Sequence, residues 1–426
     1  MRAQGRTAPS GRSAYFSARL PFPLGQGALV AVVQLLRNTA VSCTLYNCVV
    51  LPLLIAFGVS ALLTLLMVRL QSVHAHRTSD RDFNKPQGFH VEPVPRIGGL
   101  SIVVGVALGM VPLLWLQGEQ ALWFAAVLLA CALPAFMAGF VQDFTEALSP
   151  RGRLLATAIA ATLAFFALDA AITRTDVPGL DWLVAFTAGS LLVTVFAVTG
   201  IAHAVNIIDG FNGLASMCVV IMLAASAYVG YQVDDPLVAL LALAGIGAVL
   251  GFFIWNFPAG LIFLGDGGAY FLGFYVAELH ILLLVRNPEV SPLFPLLVCV
   301  YPAFETVFSV YRRYVLRGTP ASMPDGIHLH SLIYRRVMRW AVGNRSSRAL
   351  TRRNSMTSPY LWLLCMLSAV PATLAWDTTW ILALALLVFA VCYLTLYWRI
   401  VRFRSPRWLR FLMPPTRRVL KRDNRG

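Results

Sequence analysis

Residues 263–285 read FLGDGGAYFLGFYVAELHILLLV. One carboxylate, Asp266, stands among Gly265, Gly267 and Gly268 at the mouth of an apolar run that reaches Val285. A spanning helix needs about 20 apolar residues, so Gly268–Val285 is a membrane-helix candidate. An ionised group so close to hydrocarbon is costly and is expected to serve a purpose. Ten further apolar runs flank this one: Tyr46–Val68, Ile97–Leu116, Ala121–Val141, Leu154–Ala171, Trp182–Val198, Leu214–Tyr231, Leu237–Ile254, Pro292–Val310, Pro359–Trp376 and Trp380–Tyr397. Together they predict an all-α, polytopic transmembrane bundle of about eleven spanning helices. Composition agrees: hydrophobic residues make up 58% of the chain, charged ones 12%, and the mean hydropathy is +0.72. A soluble domain averages about 25% charged residues.

The net charge of +15 invites a nucleic-acid partner, but its location argues against one. Alternate loops carry Arg77, Arg81, Lys85 and Arg96, then Arg151 and Arg153, then ten arginines between Arg312 and Arg353. The opposite loops hold little beyond Arg174 and Arg286 and include the Asp234–Asp235 pair. This is the bias of juxtamembrane loops facing anionic lipid, and it makes the basic side cytoplasmic. The expected organisation is an N-terminal extension (1–44), an integral membrane domain (45–398) and a basic cytoplasmic tail (399–426). The extension carries five arginines on the side expected to be outside, which leaves it as an interfacial helix, a disordered segment or a mis-assigned start. The seven cysteines, Cys43, Cys48, Cys131, Cys218, Cys299, Cys365 and Cys392, lie scattered without a CxxC spacing and read as small apolar residues.

Five polar clusters fall on the basic side. In the first, Phe89-His90 leads to Pro93-Val-Pro-Arg96-Ile-Gly98-Gly99, a turn-rich helix entry whose amides and arginine suit a phosphate. In the second, Gln142-Asp143 ends a helix ahead of Leu148-Ser-Pro-Arg151. In the third, Asn206 and Asp209 stand three apart, on one helix face, before Gly210, Asn212 and Gly213. Constrained oxygen ligands of this kind suit Mg²⁺, which takes one or two carboxylates plus substrate phosphates. The fourth runs from Trp255-Asn256 to Asp266. The fifth joins Pro302-Ala-Phe-Glu305, Arg312-Arg313 and Pro324-Asp325-Gly-Ile-His328-Leu-His330. Paired imidazoles with arginines suit a diphosphate, and a zinc site is the weaker alternative. Each cluster alone could be an ordinary solvated loop or helix end. Their convergence on one face describes a site for a metal ion and a phosphorylated soluble substrate, next to an acceptor in the lipid.

From about Tyr46 to Tyr397 the ordered motifs resemble the polyprenyl-phosphate N-acetylhexosamine-1-phosphate transferases, and the O-antigen-type branch in particular. The carriers of the resemblance are Phe89-His90 with Pro93 to Gly99, Asn206-Ile-Ile-Asp209-Gly210-Phe-Asn212-Gly213, Phe263-Leu-Gly265-Asp266 and His328-Leu-His330. The resemblance implies transfer of a HexNAc-1-phosphate from a UDP-HexNAc to undecaprenyl phosphate, release of UMP, and a need for Mg²⁺, with Mn²⁺ as the alternative ion. It implies a bacterial inner-membrane enzyme with a cytoplasmic site that starts a lipid-linked envelope glycan such as O-antigen. Family members are often dimers, so a homodimer is expected.

The expected roles follow. Asp266 and Asp209 hold the metal. Asp143, Asp209, His328 and His330 are catalytic. His90, Arg96, Asn206, Asn212, Arg313 and Asp325 bind substrate. Three positions depart from the family pattern: Gln142 stands where a first aspartate is usual, Asn212 replaces a carboxylate, and Ser331 replaces a further histidine. A single displacement is expected, with a covalent aspartyl intermediate as the alternative. The rival class is a transporter or lipid flippase. Transporter sites lie near the bilayer midplane, and Glu278, His280 and Glu305 are the residues that could supply one. A catalytically inactive homologue, favoured by Gln142, is the second rival.

Overall fold

Each of the eleven apolar runs is helical over most of its described length in the computed structural model, which describes residues 50–71, 94–316, 318, 327–338 and 347–402. The 1–44 extension, His90 and Asp325 lie outside the described residues, as does the tail beyond residue 402. In chain order the helices are α1 (Leu51–Arg69), α2 (Gly98–Gly109), α3 (Glu119–Thr145), α4 (Pro150–Ala167), α5 (Thr187–Ile208), α6 (Leu214–Gln232), α7 (Pro236–Asn256), α8 (Gly265–Arg286), α9 (Leu293–Val298), α10 (Val300–Tyr311), α11 (Ser347–Ser355), α12 (Ser358–Leu374) and α13 (Thr379–Val401). Single helical turns at Leu113–Leu116, Leu180–Val184 and Leu329–Leu332, and π-helical segments at Arg312–Leu316 and Ile333–Met338, fill the connections.

Among the described residues nine helices are long and apolar enough to cross a membrane, against the eleven expected. The other two runs are helical but compromised. Helix α4 has 18 residues and opens with Arg151 and Arg153. The run Pro292–Val310 breaks at Cys299 into α9 and α10. Pro302, three residues on, lacks the N–H that would bond the Val298 carbonyl. The expected span Trp182–Val198 is displaced: Trp182 sits in the turn Leu180–Val184, while α5 runs on to Ile208 and carries His203 and Asn206 within its last turns.

Successive crossings run in opposite directions, with α9 and α10 together making one and α11 and α12 together making another. As a result the starts of α2, α4, α6, α8 and α12 meet the ends of α3, α5, α7 and α10 on one side of the bundle. Helix α8 is the central post: 89% of its apolar window is buried, against 17% for α13. Small residues let the backbones approach, as is usual where lipid removes the hydrophobic drive between helices. A Cβ at Gly247 would fall 2.1 Å from the Leu53 carbonyl oxygen, and one at Gly273 would fall 2.5 Å from Ala202 Cα. On the far side, Asp235 accepts from Arg286 at 2.6 and 3.1 Å and from Asn287 at 3.1 Å, tying the start of α7 to the end of α8.

Of the residues considered for a midplane pathway, His280 and Glu305 are bonded among the described residues and Glu278 is not. His280 bonds Ser226 and the Val276 carbonyl. Glu278 is fully buried on α8 without a hydrogen-bond partner, and Glu305 is bonded to His328. The described cysteines are free; four are buried and Cys392 is exposed, in keeping with their reading as apolar residues.

Candidate active site

Two glycine loops are stitched together at the site end of α8. Phe263 N–H donates to the Pro95 carbonyl at 2.8 Å, Gly98 N–H to Phe263 O at 3.0 Å, and Gly99 N–H to Leu264 O at 2.8 Å. The Gly98-Gly99 amides, expected to bind a phosphate, are therefore spent on the 263–264 loop. The glycines serve close approach instead: a Cβ at Gly99 would lie 2.3 Å from Gly268 Cα. Gly265 turns with φ +78°, and a Cβ there would fall 2.1 Å from Arg96 O and 2.6 Å from Asp143 Oδ2. From α3, Gly139 brings its backbone against Asp266, 2.4 Å from a notional Cβ to the Asp266 carbonyl carbon.

These contacts set three carboxylates around one helix mouth. Asp143, at the end of α3, accepts from the backbone N–H of Asp266 at 2.9 Å and of Gly267 at 3.0 Å. It caps the first turn of α8, accepting from two of the backbone N–H groups that have no partner within the helix. Asp266 Oδ2 takes the Arg153 guanidinium at 2.6 Å, and its Oδ1 takes Asn206 Nδ2 at 2.9 Å. Tyr270, one turn along α8, donates its hydroxyl to Asn206 Oδ1 at 3.3 Å. Asp209 ends α5 as its C-cap, half-buried, and its side chain has no hydrogen-bond partner among the described residues. Burial, and after it the charge of Asp266, push its carboxyl up to about 7, with Arg96 opposing.

Arg153 was read in the sequence as a charge that orients the chain, not as a site residue. Ser149 accepts from Gly152 N–H at 3.2 Å as an N-cap and Pro150 starts the helix, which places Arg153 in the first turn of α4. Thr157, one turn on, lies on the same face and bonds His203 at 3.3 Å, and the His203 ring stands 4.8 Å from that of Tyr270. The usable signal was Arg153 and Thr157 at a spacing of four, behind a capped start. Sequence reading also passed over His203 and Tyr270, which look like ordinary members of apolar runs.

The histidine loop reaches the same place from the other side. His328 and His330 are buried, with rings stacked at 5.0 Å and 9°. His330 packs on Phe211 and lies 3.7 Å from a notional Cβ at Gly210, the residue after Asp209. Asn212 does not join them. It is buried, donates from Nδ2 to Ser355 Oγ at 3.1 Å and to Pro258 O at 3.3 Å, and donates its backbone N–H to Asn354 Oδ1 at 2.8 Å. Ser358 donates to its carbonyl at 2.6 Å. Asn212 is thus the joint between the α6 start and the α11–α12 corner, not a group open to substrate. Asn256 completes that joint, accepting from Gly213 N–H at 2.6 Å. Arg313 turns its Nε back to Ser309 O at 3.4 Å, on its own helix. Gln142 Oε1 accepts from Leu148 N–H at 2.9 Å, in the turn between α3 and α4.

Among the described residues no three His, Cys, Asp or Glu side chains gather to hold a metal ion. Asp209 and Asp266 lie within electrostatic reach of one another, Asp209 with unused oxygens and the charge of Arg96 acting on it, Asp266 paired with Arg153. That donor set fits Mg²⁺, which commonly completes its shell with phosphates and water.

A bundle with carboxylates, arginines and histidines gathered at the helix ends on one side defines a membrane enzyme for phosphorylated substrates. The chain belongs to glycosyl transferase family 4, whose model matches residues 125–284, the stretch holding Asp143, Arg153, Asn206, Asp209 and Asp266. It is 29% identical to the probable undecaprenyl-phosphate N-acetylglucosaminyl 1-phosphate transferase of Bacillus subtilis, over 69% of this chain and 80% of that protein. It is 30% identical to the phospho-N-acetylmuramoyl-pentapeptide-transferase of Desulforudis audaxviator, over 52% of this chain and 74% of that one. The undecaprenyl-phosphate alpha-N-acetylglucosaminyl 1-phosphate transferase of Thermotoga maritima is 26% identical, over 66% and 81% respectively.

Proposed function

We propose that this phosphosugar transferase moves a HexNAc-1-phosphate from a UDP-HexNAc to undecaprenyl phosphate, at the cytoplasmic face, and releases UMP. The product starts a lipid-linked envelope glycan of O-antigen type. The observation that carries the reading is Asp266 at the mouth of α8, held by Arg153 and Asn206 beside Asp209. The names of the family relatives supply the lipid phosphate and the phosphosugar.

In the proposed reaction a phosphate oxygen of undecaprenyl phosphate attacks the β-phosphorus of the nucleotide sugar. The bond from that phosphorus to the bridging oxygen breaks, and UMP leaves with the electron pair. A phosphate monoester has its second pKa near 6, so the acceptor is largely dianionic at neutral pH and needs no strong base. That suits Gln142 in place of a carboxylate, and it suits an Asp143 committed to capping α8. Arg153 and Arg96 meet charge that spreads over the transferring phosphoryl oxygens, and His328 and His330 contact the diphosphate. Mg²⁺, or Mn²⁺ in its place, held by Asp266 and Asp209, would neutralise diphosphate charge when bound.

The test uses purified protein with a panel of UDP-HexNAc donors, undecaprenyl phosphate and Mg²⁺. UMP is the expected product, and Asp266→Asn abolishes its formation. UDP in its place indicates an ordinary glycosyltransferase. Neither nucleotide from any donor favours a transporter or an inactive homologue. An active Asp266→Asn enzyme sinks the metal assignment.

A further inference from the structure

Glu305 lies on α10, outside the carboxylate cluster, and is 1% exposed. Its Oε1 faces His328 Nδ1 at 3.1 Å and accepts Leu329 N–H at 2.8 Å, and its Oε2 accepts the Tyr393 hydroxyl of α13 at 2.8 Å. A second tie holds the same loop: Arg312 Nη1 donates to Ile327 O at 2.9 Å and to the Tyr397 hydroxyl at 2.6 Å. The loop that carries the two histidines is therefore held to Glu305 of α10 and to Arg312 just beyond it, through Ile327 O, His328 Nδ1 and Leu329 N–H. Tyr393 and Tyr397 of α13 brace those two partners.

The donor inventory fixes the protons. A carboxyl group facing a backbone N–H, a phenol O–H and an imidazole nitrogen is an ionised acceptor. Nδ1 of His328 must then carry the hydrogen of the Glu305 contact. Nε2 then carries a lone pair in the neutral ring and, in the imidazolium, is a second donor able to meet a diphosphate oxygen. The stacked His330 ring takes its place from His328, and it is the ring lying against Gly210, next to Asp209. One buried carboxylate thereby sets a tautomer, a ring plane and a loop position.

We infer that Glu305 is a positioning residue for the reaction: it fixes His328 with its proton on Nδ1 and, through the stacked pair, sets His330 against the Asp209 turn. This rests on the phosphoglycosyl transfer proposed above. Glu305 acts through His328, so its contribution vanishes once His328 is gone.

The experiment compares turnover of purified full-length Glu305→Met, Glu305→Gln, His328→Ala and the Glu305→Met/His328→Ala double variant, with ¹⁵N-histidine NMR of the parent and both single Glu305 variants. Methionine removes every acceptor, so kcat falls about 100-fold, with KM for the nucleotide sugar held within about twofold. Glutamine keeps an acceptor oxygen for His328 and Leu329, so its loss is nearer tenfold and the Nδ1-protonated tautomer persists. In the His328→Ala background the Glu305→Met change adds less than about twofold, because the two sites act as one unit. Full additivity of the two changes overturns the inference, as does a parental kcat in Glu305→Met. If Glu305→Met does not fold, Glu305→Gln decides: lowered thermal stability with unchanged kcat means a structural role only, and the inference fails. A His328→Ala enzyme with parental turnover overturns it too, since nothing is left to position. A parent protein inert with every donor instead counts against the proposed function, while the NMR signal still accepts or rejects the His328 tautomer.

Discussion

Replacing Arg153 by alanine leaves Asp266 facing Asp209 without its cation. Removing one preorganised charge from such a site costs about 100-fold in turnover, and that loss is expected in UMP release. Lysine keeps the charge but not the planar fork that reaches Oδ2 at 2.6 Å, so Arg153→Lys should recover only part of the activity. Gln142 leads to the opposite expectation. Gln142→Asp shortens the side chain and gives up the bond to Leu148 N–H, at a cost of about 1 kcal/mol in stability. Transfer, measured on the folded fraction, should stay equal or rise. Residue types alone carried the reader to Asp266, Asp209, Asn206 and the histidine pair, because ionisable groups beside hydrocarbon are costly and so stand out. They could not separate Asn212, buried as a joint, from Asp209, whose oxygens are free. Both sit in one glycine-rich turn, and only the α11–α12 corner distinguishes them.

At the scale of helices, apolar length found the helices but overcounted the spans, eleven against nine among the described residues, and set one of them too early. The apolar run ended at Val198, but α5 continues to Ile208, so the helix face expected for Asn206 is part of the span itself and carries it to Asp266. The Gly98-Gly99 pair shows a different limit. A diglycine at a helix start suits a phosphate or a tight crossing, and only the hydrogen bonds to Phe263 and Leu264 decide for the crossing. The crossing of α3 over α8 provides a test. Gly139→Ala drives a methyl group into the Asp266 backbone, and overpacking of this kind costs about 1–3 kcal/mol. A shift of about 1 Å in Asp266 is enough to cost about 100-fold in rate. Thermal stability and UMP release should therefore fall together, while Gly58→Ala, with open space around its position on α1, leaves both unchanged.

For the whole molecule, the alternation of helix directions sorts loops into two sets without reference to charge. The site-side set is also the basic set, as the positive-inside rule requires of a cytoplasmic face. Single exposed cysteines at Ser149→Cys, on the site side, and Asp234→Cys, on the far side, in a background lacking native cysteines, make this measurable. An impermeant maleimide should label Asp234→Cys in intact protoplasts, and Ser149→Cys only after their membrane is broken. The reverse pattern would put the site outside and end the proposal of a cytoplasmic nucleotide donor.

Arg153 belongs to both accounts. While the chain is being inserted it is one of the loop charges that hold α4 in its orientation. In the finished bundle it has been withdrawn from the surface and paired with Asp266. Selection on how the protein sits in the membrane and selection on what it does there therefore act on one side chain. A neutral substitution at this position can silence the enzyme by either route, so its loss of activity has meaning only alongside a measured topology.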